Sequence, residues 1–349
     1  MARTTKNAGV SLCAAALVGL LGTAAWAADI SGAGATFPAP VYAKWAETYK
    51  KETNVGLNYQ PIGSGGGIKQ IEASTVTFGA TDKPLEQKDL EANGLVQWPM
   101  IIGGVVPTVN IEGVKPGELT LDGAAIADIY LGTISKWNDA RIKALNPSLT
   151  LPNQAIAPVY RSDGSGTNFL FTTYLSAVSS KFKSDIGADA SVSWPTGLGA
   201  KGNDGVANMI VRTGGAIGYV EYAYVKQNKL TYAKIKNRDG KVVTPESKAF
   251  QAAAASADWS KAPGYYLILV DQAGADSWPI TGASFILMHK QVKDPEDTLT
   301  ALKFFSWAYA KGDKMAEDLD YVPLPDNVVR MVEQTWAGMS ANGKPLWTK

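Results

Sequence analysis

Arg161-Ser162-Asp163-Gly164-Ser165-Gly166-Thr167-Asn168-Phe169 is the stretch on which the reading of this chain turns. Residues 156–160 before it read as a strand, and Phe169-Leu170-Phe171-Thr172-Thr173-Tyr174-Leu175 after it reads as a helix. Between them stand a fixed cation, Arg161, and a carboxylate, Asp163. Gly164, Ser165, Gly166 and Thr167 then offer unhindered backbone N–H groups and two hydroxyls. Glycines and hydroxyls at a helix start are a physical recipe for holding an anion, because the first helical N–H groups have no intrahelical acceptor. A guanidinium adds charge in a rigid donor fork. The same residues also suit a surface turn followed by a helix cap. The rest of the chain has to decide between the two.

The same grammar occurs upstream. Residues 30–37 form a short strand reaching Gly32-Ala33-Gly34-Ala35-Thr36-Phe37, after which Pro38 and Pro40 open a helix carrying Val41, Trp45 and Tyr49. Residues 55–60 alternate, with Val55, Leu57 and Tyr59 on one face, and run into Gly63-Ser64-Gly65-Gly66-Gly67 and another helix. Residues 76–81 make a third strand that ends at Asp82. The order strand, helix, strand, helix implies a mainly parallel sheet with helices on its faces. It places Thr36, Phe37, Ser64 and Asp82 where open α/β sheets put ligand groups. Each is also compatible with a plain tight turn or an ordinary helix cap. A dinucleotide site is excluded, since GxGxxG would need glycine at Ile68 or Gln70. A nucleotide P-loop is excluded too, since Lys69 follows Ile68 and precedes Gln70.

Further along, residues 97–109 are strongly apolar and predict a buried strand pair or one long crossing strand. Residues 121–130 and 140–145 read as helical, residues 194–204 as a long loop, and residues 205–212 as a helix. Residues 216–220 and 230–236 predict strands, residues 247–257 an alanine-rich helix, and residues 279–289 a return crossing. Two more helices follow, with Leu302, Phe305 and Tyr309 on one stripe and Val328, Val332 and Trp336 on another. Two crossings imply two lobes: residues 28–104 with 280–349, and residues 105–279. Anion-type loops on both suggest a clamshell that closes on a small ligand by hinge motion.

Composition narrows the chemistry. The 349 residues are 46% apolar and 19% charged, with 33 basic and 32 acidic side chains, so no global basicity suggests nucleic acid. Residues 1–27 have the form of an export signal: Arg3 and Lys6, an apolar run over residues 8–22, and Ala25-Trp26-Ala27 before the cut. Cys13 lies inside that run, which does not fit a lipid anchor. Removal of the signal would leave 31 basic and 32 acidic side chains, no cysteine and one histidine, His289. That excludes a disulfide scaffold, a thiol nucleophile and a Cys/His zinc site. The nucleophile pattern GxSxG fails as well, since Ile62 precedes Ser64 and Asp163 precedes Ser165 by two. His289, in an apolar strand, reads as non-catalytic. Donors dominate around Asp82 and Asp163, which suits an anion better than a metal ion.

Several motifs, in order and spacing, carry a resemblance across nearly all of residues 28–349. They are residues 32–40 (GAGATFPAP), 63–67 (GSGGG), 78–82 (FGATD), 163–167 (DGSGT), 218–223 (GYVEYA) and 278–281 (WPIT). The chain resembles the periplasmic phosphate-binding proteins of bacterial high-affinity phosphate uptake. The resemblance implies an α/β, two-lobed type II periplasmic binding protein with the ligand cleft between the lobes. It implies phosphate held by direct hydrogen bonds, without a cofactor or metal and without catalysis. Thr36, Phe37, Ser64 and Asp82 would serve from one lobe, and Arg161, Ser165, Gly166 and Thr167 from the other. Asp163 would hold the Arg161 guanidinium in place, or act only as a turn residue. Gly65 stands where the family commonly has a second serine, a change expected to affect loop stiffness more than ligand donors. Thr81 likewise stands for a serine. A protonated phosphate can donate to Asp82, whereas aprotic sulfate cannot, so Asp82 would set the preference. Another oxyanion, such as sulfate, molybdate or arsenate, is the alternative ligand. The implied partners are an inner-membrane ABC permease with its cytoplasmic ATPase, and no nucleic acid. The implied state is a periplasmic monomer.

Overall fold

The structure is a computed structural model. It describes residues 1–2 and 29–348; the export segment expected over residues 1–27 lies, apart from its first two residues, outside the described residues. The strands in chain order are β1 (Ile30–Gly34), β2 (Leu57–Gln60), β3 (Phe78–Thr81), β4 (Leu95–Val109), β5 (Thr120–Asp122) and β6 (Ala157–Arg161). They continue with β7 (Leu198–Ala200), β8 (Ala216–Glu221), β9 (Thr231–Tyr232), β10 (Lys234–Lys236), β11 (Val242–Val243) and β12 (Thr281–His289).

One large sheet runs β2-β1-β3-β12-β4-β8-β6-β7, with β9 added beside β4. β1 is parallel to β2 and β3, and β6 is parallel to β7 and β8. The sheet is not mainly parallel throughout, however. At its centre β12 runs antiparallel to both β3 and β4, and β4 runs antiparallel to β8. The sequence pattern described the two βα blocks and missed that β12 runs against the strands of the first block and β4 against β8 of the second. β4 is one continuous crossing strand rather than a pair. Its residues up to Gly104 pair with β12, and from Val105 onward it pairs with β8. Its residues are buried on both faces, which explains the unbroken apolar run.

Local chemistry sets the element boundaries. The helix Ala39–Thr53 starts after Pro38 and buries Val41, Tyr42, Trp45 and Tyr49; Asn54, with φ +60°, ends it. Trp45 Nε1 donates to the Gly312 carbonyl at 3.0 Å, tying this helix to the C-terminal region. Residues 121–130 are not one helix. Leu121 belongs to β5, where it pairs with Ile235, and the helix is Gly123–Tyr130 because Asp122 Oδ1 accepts from the Ala125 N–H and caps it. Residues 230–236 split into β9 and β10, since β9 pairs with β4 while β10 pairs with β5. The loop expected over residues 194–204 is shorter than its glycines suggest: it contains β7, and the next helix, Gly202–Arg212, begins within it. The C-terminal helices bury Leu302 and Phe305, and Val328, Val332 and Trp336, as their stripes predict.

The helix Ser64–Glu72 lies hard against β1 and β3. A Cβ on Gly67 would stand 2.5 Å from Gly34 Cα and 2.7 Å from the Ala33 carbonyl oxygen. Gly67→Ala is therefore expected to cost about 1–3 kcal/mol through overpacking. Urea unfolding should show a lower midpoint with an unchanged slope; an unchanged midpoint would mean that the helix is not seated this closely.

Candidate anion-binding site

Four loops meet where strands pass into helices. β1 delivers Thr36 and Phe37, β2 leads through Gly63 to Ser64, β3 ends before Asp82, and β6 ends at Arg161. Gly63 has φ +91°, and a Cβ there would stand 2.3 Å from Asp163 Oδ2, so only glycine fits. Ser165 is the N-cap of the helix Gly166–Val178 and accepts from the Asn168 N–H. The two sheet segments come together at this point. Ser64 Oγ accepts from the Asp82 N–H at 3.1 Å and from the Gly166 N–H at 3.0 Å. The Gly65 N–H donates to the Gly164 carbonyl at 2.9 Å. A Cβ on Gly65 would lie 3.2 Å from Gly164 Cα, so the missing side chain lets the two loops touch. A Cβ on Gly166 would lie 2.5 Å from Asp82 Cβ. Thr36, Phe37, Ser64, Asp82, Arg161, Ser165, Gly166 and Thr167 are thus brought to one buried place.

The hydrogen-bond accounting there is lopsided. Among the described residues, the backbone N–H groups of Thr36, Phe37, Ser64 and Thr167 find no acceptor. All four residues are buried. Thr36 Oγ1 accepts from the N–H and Nδ2 of Asn203, Thr167 Oγ1 accepts from Asn203 Nδ2, and Ser64 Oγ accepts twice and itself donates to Asp82 Oδ2 over a long 3.5 Å. A hydroxyl whose lone pairs are taken keeps its proton for another acceptor. Arg161 gives Nε and Nη2 to Asp163, at 2.8 and 2.6 Å, which leaves Nη1. The Gly166 N–H is committed to Ser64 Oγ. Two buried carboxylate oxygens stand against these donors without a partner among the described residues, Asp82 Oδ1 and Glu221 Oε1; the Ser284 hydroxyl, also unpartnered, faces the Asp82 carboxyl but stays beyond hydrogen-bond geometry.

The electrostatics follow from burial. Burial pushes the Asp82 carboxyl up to about 7, against the pull of nearby hydroxyls and the Arg161 charge. For Asp163, burial raises the carboxyl, but the bonds and charge of Arg161 and the Gly202 N–H outweigh it, so the group lies below its usual value. Glu221 is fully buried, and burial holds it well above the carboxylate range despite bonds from Tyr321 and the Ala223 N–H. Among the described residues, no group of three or more His, Cys, Asp or Glu could hold a metal ion. His289 is a strand-end residue, bonded through Nε2 to the Ile71 carbonyl and Ser74.

Sequence reasoning missed three residues here. Asn203 bonds Thr36 and Thr167; the Tyr224 hydroxyl donates to the Thr36 carbonyl at 2.6 Å; Tyr321 reaches the Phe37 carbonyl and Glu221. Tyr224 and Tyr321 lie outside the glycine loops, and Asn203 lies in one that gave no sign of a site. The only local signal was Gly202 ahead of Asn203, a helix start hidden in what read as loop.

A model of the PBP superfamily domain matches residues 22–311. The phosphate-binding protein PstS of Pasteurella multocida is 50% identical over 323 residues, covering 92% of this chain and 94% of that protein. PstS of Haemophilus influenzae is 51% identical over 312 residues, covering 89% and 93%. The solved structure of PfluDING, a high-affinity periplasmic phosphate-binding protein bound with phosphate, superposes with a TM-score of 0.70 at 19% identity. That match covers 91% of this chain and 100% of the other. The fold is that of a type II periplasmic binding protein, a binding protein rather than an enzyme. The chain belongs to the PstS family.

The Arg161–Asp163 pair carries a prediction. Its side chains are 1% and 10% exposed. Arg161→Ala leaves Asp163 charged and unpaired, with an expected loss of about 3 kcal/mol or more in urea unfolding. Adding Asp163→Ala should recover part of that loss. Strict additivity in the double-mutant cycle would show that the pair is not coupled.

Proposed function

We propose that the chain is a periplasmic receptor for inorganic phosphate. It closes on the anion between two lobes, residues 28–104 with 280–349 and residues 105–279, and delivers it to an ABC permease. The membership of the PstS family supports the transport role. The ligand is argued from one observation: beside many buried donors in search of an acceptor stands a buried carboxylate oxygen, Asp82 Oδ1, without a donor among the described residues. A tetrahedral oxyanion that still carries a proton answers both needs. Its bare oxygens take the N–H groups of Thr36, Phe37, Ser64 and Thr167, the hydroxyls of Thr36, Ser64, Ser165 and Thr167, and Arg161 Nη1. Its O–H goes to Asp82. Helix N-termini add partial positive charge without mobile cations. Arg161 stays aligned because Asp163 grips the rest of its guanidinium. The Gly166 N–H acts one step back, by fixing Ser64 Oγ.

The Asp82 carboxyl makes the preference depend on pH. Below about 7 it is protonated and brings its own O–H, so it can meet an aprotic dianion. Above that value it is charged and has only lone pairs to offer. Competition calorimetry should therefore show sulfate competing with phosphate best near pH 5 and least near pH 8.5. Asp82→Asn, which keeps a donor at every pH, should lower the phosphate-to-sulfate ratio at pH 8.5 by at least tenfold and flatten its pH dependence. A wild-type ratio that does not change with pH would remove Asp82 as the discriminating group. An absence of phosphate binding would remove the whole reading.

A further inference from the structure

We propose that Asn203 is a positioning residue that converts the Thr36 and Thr167 hydroxyls into obligate donors toward the anion. The inference rests on the phosphate reading above. Asn203 is wholly buried at the start of the helix Gly202–Arg212. Its Nδ2 donates to Thr36 Oγ1 at 2.8 Å and to Thr167 Oγ1 at 3.2 Å, and its backbone N–H donates to Thr36 Oγ1 at 3.2 Å. Its Oδ1 accepts from the Glu221 N–H at 3.0 Å. A primary amide has two donor hydrogens and one carbonyl oxygen, and all are in use on protein groups.

The Glu221 N–H also fixes which way the amide faces. A flipped amide would set its NH2 against that N–H and its oxygen against two hydroxyls, which would then donate to Asn203. In the observed orientation each threonine oxygen receives a proton from Asn203, so its own proton is left for another acceptor. The two threonines come from opposite sheet segments: Thr36 follows β1, and Thr167 lies in the first turn after β6. The same turn supports the cation, since the Gly202 N–H donates to Asp163 Oδ1 at 3.2 Å. One turn thus sets the direction of two hydroxyls and braces the carboxylate that holds Arg161.

The test is a double-mutant cycle read by phosphate calorimetry, with far-UV circular dichroism to confirm folding. Asn203→Ala should weaken phosphate binding at least tenfold. The same substitution in the Thr36→Val/Thr167→Val background should cost less than twofold, because its targets are gone. A role in packing alone would give the same loss in both backgrounds, which overturns the proposal, as does a loss below threefold in the wild-type background. Should the double-valine background fail to fold or to bind measurably, the two single-valine backgrounds serve, each expected to remove part of the Asn203 effect. Asn203→Asp supplies an independent reading. It keeps the shape but turns the Nδ2 donor into an acceptor, so it should lose more affinity than Asn203→Ala, whereas a space-filling role predicts the reverse. Phosphate binding by the wild type with no effect of Asn203→Ala defeats only this inference. No phosphate binding by the wild type defeats the reading beneath it as well.

Discussion

Ser64 Oγ takes one N–H from Asp82, on its own sheet segment, and one from Gly166, on the other. Much of the site depends on this shared oxygen. It can accept from both sides only where the two glycine loops approach to backbone contact, which is why a Cβ on Gly65 would be tight against Gly164 and one on Gly166 would have no room beside Asp82. The long strand β4 makes that approach reachable. It runs through both segments and changes partner from β12 to β8 between Gly104 and Val105, so one buried strand carries both halves of the site. The glycines permit the contact, the hydroxyl fixes its register, and the sheet holds the two sides in range.

That closed arrangement is costly by itself. A buried N–H without an acceptor costs roughly 1–3 kcal/mol, and Thr36, Phe37, Ser64 and Thr167 each carry one. A buried, unpartnered carboxylate oxygen adds a further penalty, which the Asp82 carboxyl lessens by holding its proton up to about pH 7. An anion offers acceptors to all of the former and, if protonated, a donor to the latter. Under the proposed function, closure and binding are linked: the groups that make this arrangement expensive are those the ligand would satisfy. Asp163 and Arg161, by contrast, satisfy each other and form a standing part of the frame.

The glycine loops were legible in the sequence because their chemistry is local. A strand, a glycine turn, a hydroxyl and a helix start lie within ten residues, so the loops bearing Thr36, Ser64, Ser165 and Thr167 could be read as anion-site candidates from the residues, and the family resemblance singled out those side chains. Asp82 could be named as a strand end. The supporting groups were not legible, because they act over long separations: Asn203 reaches Thr36 across 167 residues and Tyr321 reaches Phe37 across 284. Strand direction was hidden for the same reason. The pattern of residues 97–109 reports burial on both faces, which a parallel and an antiparallel strand share when both are covered. The boundary errors were of another kind. Asp122 and Gly202 begin helices through a cap and a left-handed turn, signals weaker than the apolar and glycine-rich patterns that masked them.

Attraction and selectivity are then separable within one site. Helix termini, hydroxyls and a guanidinium draw any compact oxyanion, and none of them distinguishes a protonated oxygen from a bare one. Asp82 alone supplies a term of opposite sign. Two like charges about 4 Å apart repel by roughly 4 kcal/mol at an effective dielectric constant near 20, which is about a thousandfold in affinity. That penalty exceeds the loss of any single neutral donor, typically about 1 kcal/mol. Under the proposed function, the donors can be numerous and individually modest while one carboxylate decides which anion is kept. The requirement is that they all remain donors. A threonine hydroxyl that turned to accept would offer the anion a lone pair, as the carboxylate does, and the donation of Asn203 Nδ2 to both Thr36 Oγ1 and Thr167 Oγ1 opposes that turn.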